Sequence, residues 1–321
     1  MSNVLRFAAA LVVAVPLGLA QAQQYPNKPV RVIAPAAAGT NPDVLARVVF
    51  QNVGEVLGQQ FVIDNRPGAG GVVAAQAAAK MAPDGYSLFL SDSGPIAISP
   101  ALQSKAGYDP LRDFVPITGL VRAPLVLVAH PGVPAKTLAD LVNHAKSKPG
   151  LLRYGTFGVG SVHHLTTEMF SAAAGIKMVN VPFRSGSDFL TALLNGDIEL
   201  AFFGAPPTLP HIKQEKLRAL AVTSASRSVV LPDVPSIAEQ GYPSYNVAAS
   251  IGLMAPTGTP REVIETLAGA VQKALANPDI RKRLTDLGMV PIGPEERYDA
   301  INKAEIGMFG KAIKDAGIKI E

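Results

Sequence analysis

The 321-residue chain has no cysteine. Disulfides, thiolate metal sites, cysteine nucleophiles and tethering through a lipid-modified cysteine are therefore excluded, and packing alone must hold the fold. Charged residues make up only 17% of the sequence. The lysines and arginines are dispersed, so there is no nucleic-acid stripe and no polybasic membrane patch. The net charge of +4 amounts to a weak field favouring anions. All five histidines fall between His130 and His211 without a chelating spacing, so neither a metal nor a cofactor is expected. The glycines around residues 154–164 lack a Walker lysine and a dinucleotide fingerprint. A Gly-x-Ser-x-Gly nucleophile elbow is missing as well.

The N-terminus has the three parts of a secretory signal: a short stretch ending in Arg6, an apolar run over residues 7–20, and Ala20-Gln21-Ala22. Cleavage is expected after Ala22, giving a soluble periplasmic protein. The apolar run is shorter than the roughly 20 residues that cross a bilayer as a helix. The remainder, about 300 residues, exceeds what one core usually organises and points to two lobes.

Short apolar strands alternate with amphipathic helices along this remainder. Residues 30–34 form a buried strand, and the helix after it carries Val44, Leu45, Val48, Val49, Val53 and Leu57 on one side. Strands at 61–64 and 86–90, with an Ala-rich helix between them, complete a β-α-β-α-β unit. Such units build parallel sheets that bind ligands at the carboxyl ends of their strands. A second unit is expected from residue 125, through strands at 153–155, 178–181, 198–202 and 219–223. Helices around 262–276, 278–287 and 294–316 then return the chain to the first lobe. The expected class is α/β, with two doubly wound lobes joined by a two-crossing hinge near Pro124 and Ser250. Residues 1–22 are the signal, 23–124 with 251–321 the first lobe, and 125–250 the second.

Several motifs carry a resemblance: Asp64-Asn65-Arg66-Pro67-Gly68-Ala69-Gly70-Gly71, Ala82-Pro83-Asp84-Gly85-Tyr86, Tyr108-Asp109-Pro110-Leu111-Arg112-Asp113-Phe114 and Leu231-Pro232-Asp233-Val234-Pro235. With Tyr25-Pro26-Asn27-Lys28-Pro29, residues 217–224 and Pro256-Thr257-Gly258-Thr259-Pro260, they closely resemble the substrate-binding proteins of tripartite tricarboxylate transporters, the TctC or Bug family. The resemblance implies a type II periplasmic-binding-protein fold closing on a small organic carboxylate. It also implies a permease of one large and one small integral subunit. A monomer without enzymatic activity is expected.

Candidate ligand-binding residues follow from the strand–loop–helix junctions. Ala36, Ala37, Ala38, Gly39 and Thr40 form a small-residue loop, followed by Asn41 as N-cap, Pro42 at the first helical position and Asp43 in the first turn. A helix start of this kind attracts anions through free N–H groups and the helix dipole. Thr156, Gly160, Ser161 and His164 occupy the equivalent junction of the second lobe, with Ser161 as cap. The loop Ser91-Asp92-Ser93-Gly94 follows one strand end and should complete the cleft, with Ser91 and Ser93 as candidate contacts. Phe183, Arg184 and Gly186 follow another, where Arg184 can pair bidentately with a carboxylate. Phe203 and Gly204 close a third.

The first loop departs from the family's Pro-Phe-Pro-Ala-Gly-Gly at Ala36 and Ala37, which implies a wider pocket. Phe203 stands where the family often has Asp, which argues against an amino group on the ligand. Phe183, Phe202 and Phe203 can flank a bulky or aromatic acid, although Phe202, a strand residue, reads as core. Two other readings stay open. One is an exported sensor domain for the same solute. The other is a serine hydrolase built on Ser161, His163 or His164, and Asp188. Capping explains the position of Ser161 better, and adjacent histidines point about 100° apart on a helix.

Overall fold

The computed structural model describes residues 25–102, 106–315 and 317–318; the expected signal peptide lies outside them. Val30–Ala34 (β1), Phe61–Asn65 (β2) and Ser87–Ser91 (β3) form a parallel set with β1 in the middle. Asn41–Leu57 (α1) and Val72–Ala78 (α2) make the crossovers. As the periodicity predicts, Leu45, Val48, Val49 and Val53 of α1 are buried against Val30, Val32 and Leu88 of the sheet.

After β3, a π-helical turn at Gly94–Ile98 and the short helix Ser99–Leu102 (α3) lead to Phe114–Ala129 (β4). This 16-residue strand belongs to both sheets. Up to Pro124 it pairs with a later antiparallel strand, and from Leu125 it pairs with strands of the second sheet. Residues 125–129, expected to open a parallel unit, are thus the antiparallel end of β4.

The second parallel unit begins one strand later. After Leu138–Ser147 (α4) it runs Arg153–Thr156 (β5), Val162–Ala174 (α5), Val179–Pro182 (β6), Gly186–Asn195 (α6) and Leu200–Gly204 (β7). The central strand is β5, paired with β6 and β7, just as β1 is central in the first lobe. Ala205–Lys213 (α7) follows directly and was not expected, because it contains Pro206, Pro207 and Pro210. The first two occupy the opening turn, where a missing N–H costs nothing. Arg218–Val222 (β8) pairs with β4.

Ala248–Pro256 (β9) is inserted between β3 and β4 and completes the first sheet. Arg261–Ala276 (α8) packs on α1, and Pro278–Asp286 (α9) and Val290–Pro291 (β10) follow. Tyr298–Asp315 (α10) serves both lobes. Tyr298 is buried with Phe89, Phe114 and Met254 of the first, whereas Phe309 and Ile313 share a core with Leu165 and Phe170 of the second. Ala97 and Ile98 of the first lobe belong to that same core, and α10 packs on the turn at Gly94–Ile98 and on α3, so its end lies where the two lobes meet. An apolar stripe continued along a helix finds whichever core lies beneath it.

Candidate functional site

Parallel sheets present their loops at the carboxyl ends of the strands, and here those loops converge from both lobes. A cavity of about 600 Å³ is lined by residues following β1 (Pro35, Ala36, Ala37, Thr40, Pro42), β2 (residues 67–71) and β3 (Asp92, Gly94). Opposite them lie residues following β5 (Phe157, Gly158, Ser161, Val162, His163) and β6 (Pro182, Phe183, Arg184). The volume falls in the range of small-molecule sites.

The start of α1 differs by one residue from expectation. Thr40, not Asn41, is the N-cap, so Pro42 is the second helical residue. The Thr40 hydroxyl makes no capping bond; it donates to Ala37 O at 2.7 Å. The first-turn N–H groups of α1 thus lack a side-chain cap, the arrangement that suits an incoming anion. Asp43 is turned away to accept from Gly39 N and Arg47, and these bonds hold its carboxyl below the ordinary range. The Asn41 side chain fills the space above the backbone of Gly204, where a Cβ would lie 1.8 Å from Asn41 Oδ1.

At the second helix start Ser161 caps α5 as expected. Its Oγ accepts from His164 N at 3.2 Å and donates to Gly158 O at 2.7 Å. The cap takes the N–H of His164, and the backbone N–H groups of Val162 and His163 have no hydrogen-bond partner among the described residues. Arg184 lines the cavity and joins no salt bridge among the described residues.

One wall is aromatic. Phe183 stacks on Phe189 with centroids 5.1 Å apart, and Phe157 meets Phe189 edge-on at 5.3 Å. His163 packs against Phe157 at 4.7 Å. Burial among these rings lowers its imidazole to about 4, so it is neutral at physiological pH. Phe203, expected in the pocket, is only 1% exposed and lies behind the wall in contact with Phe189. Phe202 is core, packed on Phe170.

Strand alternation explains the largest surprise. Ser91 bonds Tyr298 Oη and Gly252 O, and Ser93 donates to Glu305 at 2.7 Å. Both serines fasten the end of β3 to β9 and α10 rather than facing the cavity. The residue between them points the other way, and Asp92 lines the cavity. The Gly-rich loop at 67–71 was likewise missed as lining, although glycines at a strand's carboxyl end are the available signal. Thr156 is fully buried and bonds Asn180. His164 faces a separate pocket of about 300 Å³ beside Glu168.

The lobes touch around the cavity. A Cβ on Gly70 would stand 2.6 Å from the Gly160 carbonyl carbon, and one on Gly186 3.0 Å from Ala38 O. The Ser99 hydroxyl lies within 3.3 and 3.4 Å of Gly70 O and Gly160 O, bridging the two loops. Gly160 and Gly186 thus sit at the lobe–lobe contacts, not in the cavity lining.

The chain is similar throughout to proteins of one kind. The profile of the tripartite tricarboxylate transporter family receptor matches residues 45–317. Protein BugT of Bordetella pertussis is 33% identical over 302 residues, covering 94% of this chain and 93% of that protein. A UPF0065 protein of Agrobacterium vitis is 37% identical, covering 97% and 92%. Among solved structures, an adipate-bound protein of R. palustris superposes with a TM-score of 0.88 at 34% identity, covering 92% of this chain and 99% of that one. MatC from Rhodopseudomonas palustris with bound malate gives 0.85 at 32%, covering 90% and 100%. These relatives are binding proteins and not enzymes, and no helix among the described residues is long and apolar enough to cross a membrane. The chain belongs to the tripartite tricarboxylate transporter receptor family, the TctC or Bug family of periplasmic solute-binding proteins.

Proposed function

We propose that the protein is exported through a signal peptide cleaved after Ala22 and acts as a monomer in the periplasm. There it captures a small organic carboxylate and delivers it to a tripartite permease. The observation that carries this reading is the cavity's inventory of anion donors: the uncapped start of α1, the N–H groups at the start of α5, and Arg184. Donors from two lobes converging on one anion make binding and closure a single event. The bound forms of the two Rhodopseudomonas proteins, with adipate and with malate, support a carboxylate for this chain too.

The hinge is proposed where β4 changes partners. On this reading residues 23–124 with 251–321 form the first lobe, and 125–250 form the second. The ligand's body rests on Phe157 and Phe183, which suits an acid with an apolar or aromatic portion. The expected exclusion of amino groups rested on Phe203 as a pocket residue, and with that ring in the core the exclusion loses its ground.

A thermal-shift screen of the purified mature protein against aliphatic and aromatic mono- and dicarboxylates tests the reading. An acid present at 100 times its dissociation constant is expected to add about 2.7 kcal/mol of stability. Stabilisation by sugars or cations and by no acid contradicts it.

A further inference from the structure

The carboxyl of Asp92 is out of place in a cavity built for an anion. It lines that cavity, yet none of the salt bridges among the described residues includes it. Its Oδ1 accepts from Gly94 N at 2.9 Å. Its other oxygen has no hydrogen-bond partner among the described residues. Behind it, on α10, the buried Glu305 adds a like charge.

The neighbouring tyrosine hydroxyls are committed to other partners. Tyr298 Oη is engaged with Ser91, and Tyr108 Oη donates to Pro95 O at 2.5 Å. In the second lobe's share of the wall, His163 is neutral and Arg184 lies in the loop after β6. A carboxylate half-buried at a cavity wall without a counter-charge is costly, and leaving it so makes sense where a ligand supplies the missing proton donor.

We propose that Asp92 is a specificity-determining residue, accepting a hydrogen bond from a hydroxyl or ammonium group that the bound acid carries away from its captured carboxylate. The inference rests on the carboxylate reading above and narrows its substrate class to donor-bearing acids, hydroxy or amino. An acid lacking such a donor leaves Asp92 either repelling the ligand or forced to take up a proton. A donor-bearing acid instead stabilises the ionised form, so its binding expels a proton from a group that burial and Glu305 hold at about 7.

Calorimetric titration at pH 8, in two buffers of different ionisation enthalpy, tests this on wild type and Asp92→Asn. The probes are succinate, malate and aspartate; glutarate, 2-hydroxyglutarate and glutamate; and adipate, 2-hydroxyadipate and 2-aminoadipate. In the series that binds, the hydroxy or amino member is expected to bind wild type at least about tenfold more tightly than its parent. Asp92→Asn is expected to reduce that ratio below about threefold. The member that wins identifies the donor. Repeating the wild-type titration at pH 7 is expected to show proton release with that member, a readout that does not depend on the variant folding. An undiminished ratio in Asp92→Asn, an equal gain for all acids, or an equally tight parent acid overturns the inference. Failure of these acids and of every acid in the thermal-shift screen to bind overturns the carboxylate reading itself.

Discussion

Gly70→Ala is expected to weaken acid binding by roughly 30- to 100-fold while leaving the fold intact. The Gly70 backbone lies against the backbone of Gly160 across the cleft. An added Cβ would meet the Gly160 carbonyl carbon at 2.6 Å, its oxygen at 2.7 Å and Ser161 N at 2.9 Å. No rotamer change relieves a clash with backbone, so the loops must part. Parting them draws the start of α5 away from the start of α1. Overpacking of this kind costs about 2–3 kcal/mol, and when closure is coupled to binding that cost appears as lost affinity. Gly70 also has φ +64°, where alanine adds roughly 1–2 kcal/mol of strain.

Gly58→Ala separates the two effects. Its φ of +68° imposes similar strain, but nothing lies within 4 Å of the added carbon, and it sits at the far end of α1. Calorimetry should show unchanged affinity for Gly58→Ala and the full loss for Gly70→Ala. Equal affinities in both would mean that the Gly70–Gly160 contact plays no part in binding.

The second large effect concerns stability. Desolvation of the half-buried Asp92, reinforced by Glu305, raises its carboxyl from 3.8 to about 7. Between these values the folded protein holds a proton that the unfolded chain has released, so stability falls as pH rises from about 4 to about 7. The difference corresponds to roughly 2–4 kcal/mol lost at pH 8. His163 works in the opposite direction. Its imidazole is lowered from 6.5 to about 4, so stability is lost as pH falls through that window. The two slopes oppose each other between pH 4 and 6.5, and wild type should be nearly flat there with respect to this pair.

Asp92→Asn removes one of them. In ligand-free urea unfolding the variant should match wild type near pH 4 and exceed it by roughly 2–4 kcal/mol at pH 8. The amide oxygen still accepts the Gly94 N–H, so no hydrogen bond is sacrificed. A variant no more stable than wild type at pH 8 would contradict the desolvation of a charged Asp92.

Much of the architecture was legible in the sequence because it follows from periodicity and loop chemistry. The apolar stripe of α1, the cap at Ser161, and the alternation of strands and helices are local features. What the sequence hid depends on long-range packing. Strand β4 contains Pro116, Gly119 and Pro124, which break its pattern, and only its pairing with β9 up to Pro124, through two register shifts, and with β7 and β8 beyond it makes it one strand. Prolines also concealed α7. In the site, the loop after β1, Ser161, Phe183 and Arg184 were found because each follows the carboxyl end of a strand. The loop Ser91-Asp92-Ser93-Gly94 is legible as cleft lining, but its contact residue is Asp92 rather than the two flanking serines, which bond toward α10. Phe203 erred in the same way, since a strand residue next to the cleft can face the core instead.

The most direct test of the central claim is a crystal structure of the protein grown with the acid that stabilises it most. The ligand's carboxylate is expected between the lobes, within hydrogen-bonding distance of the N–H groups opening α1 and α5. A bound acid lying elsewhere, or one whose carboxylate faces Phe157 and Phe183 while these N–H groups meet only water, would contradict the account.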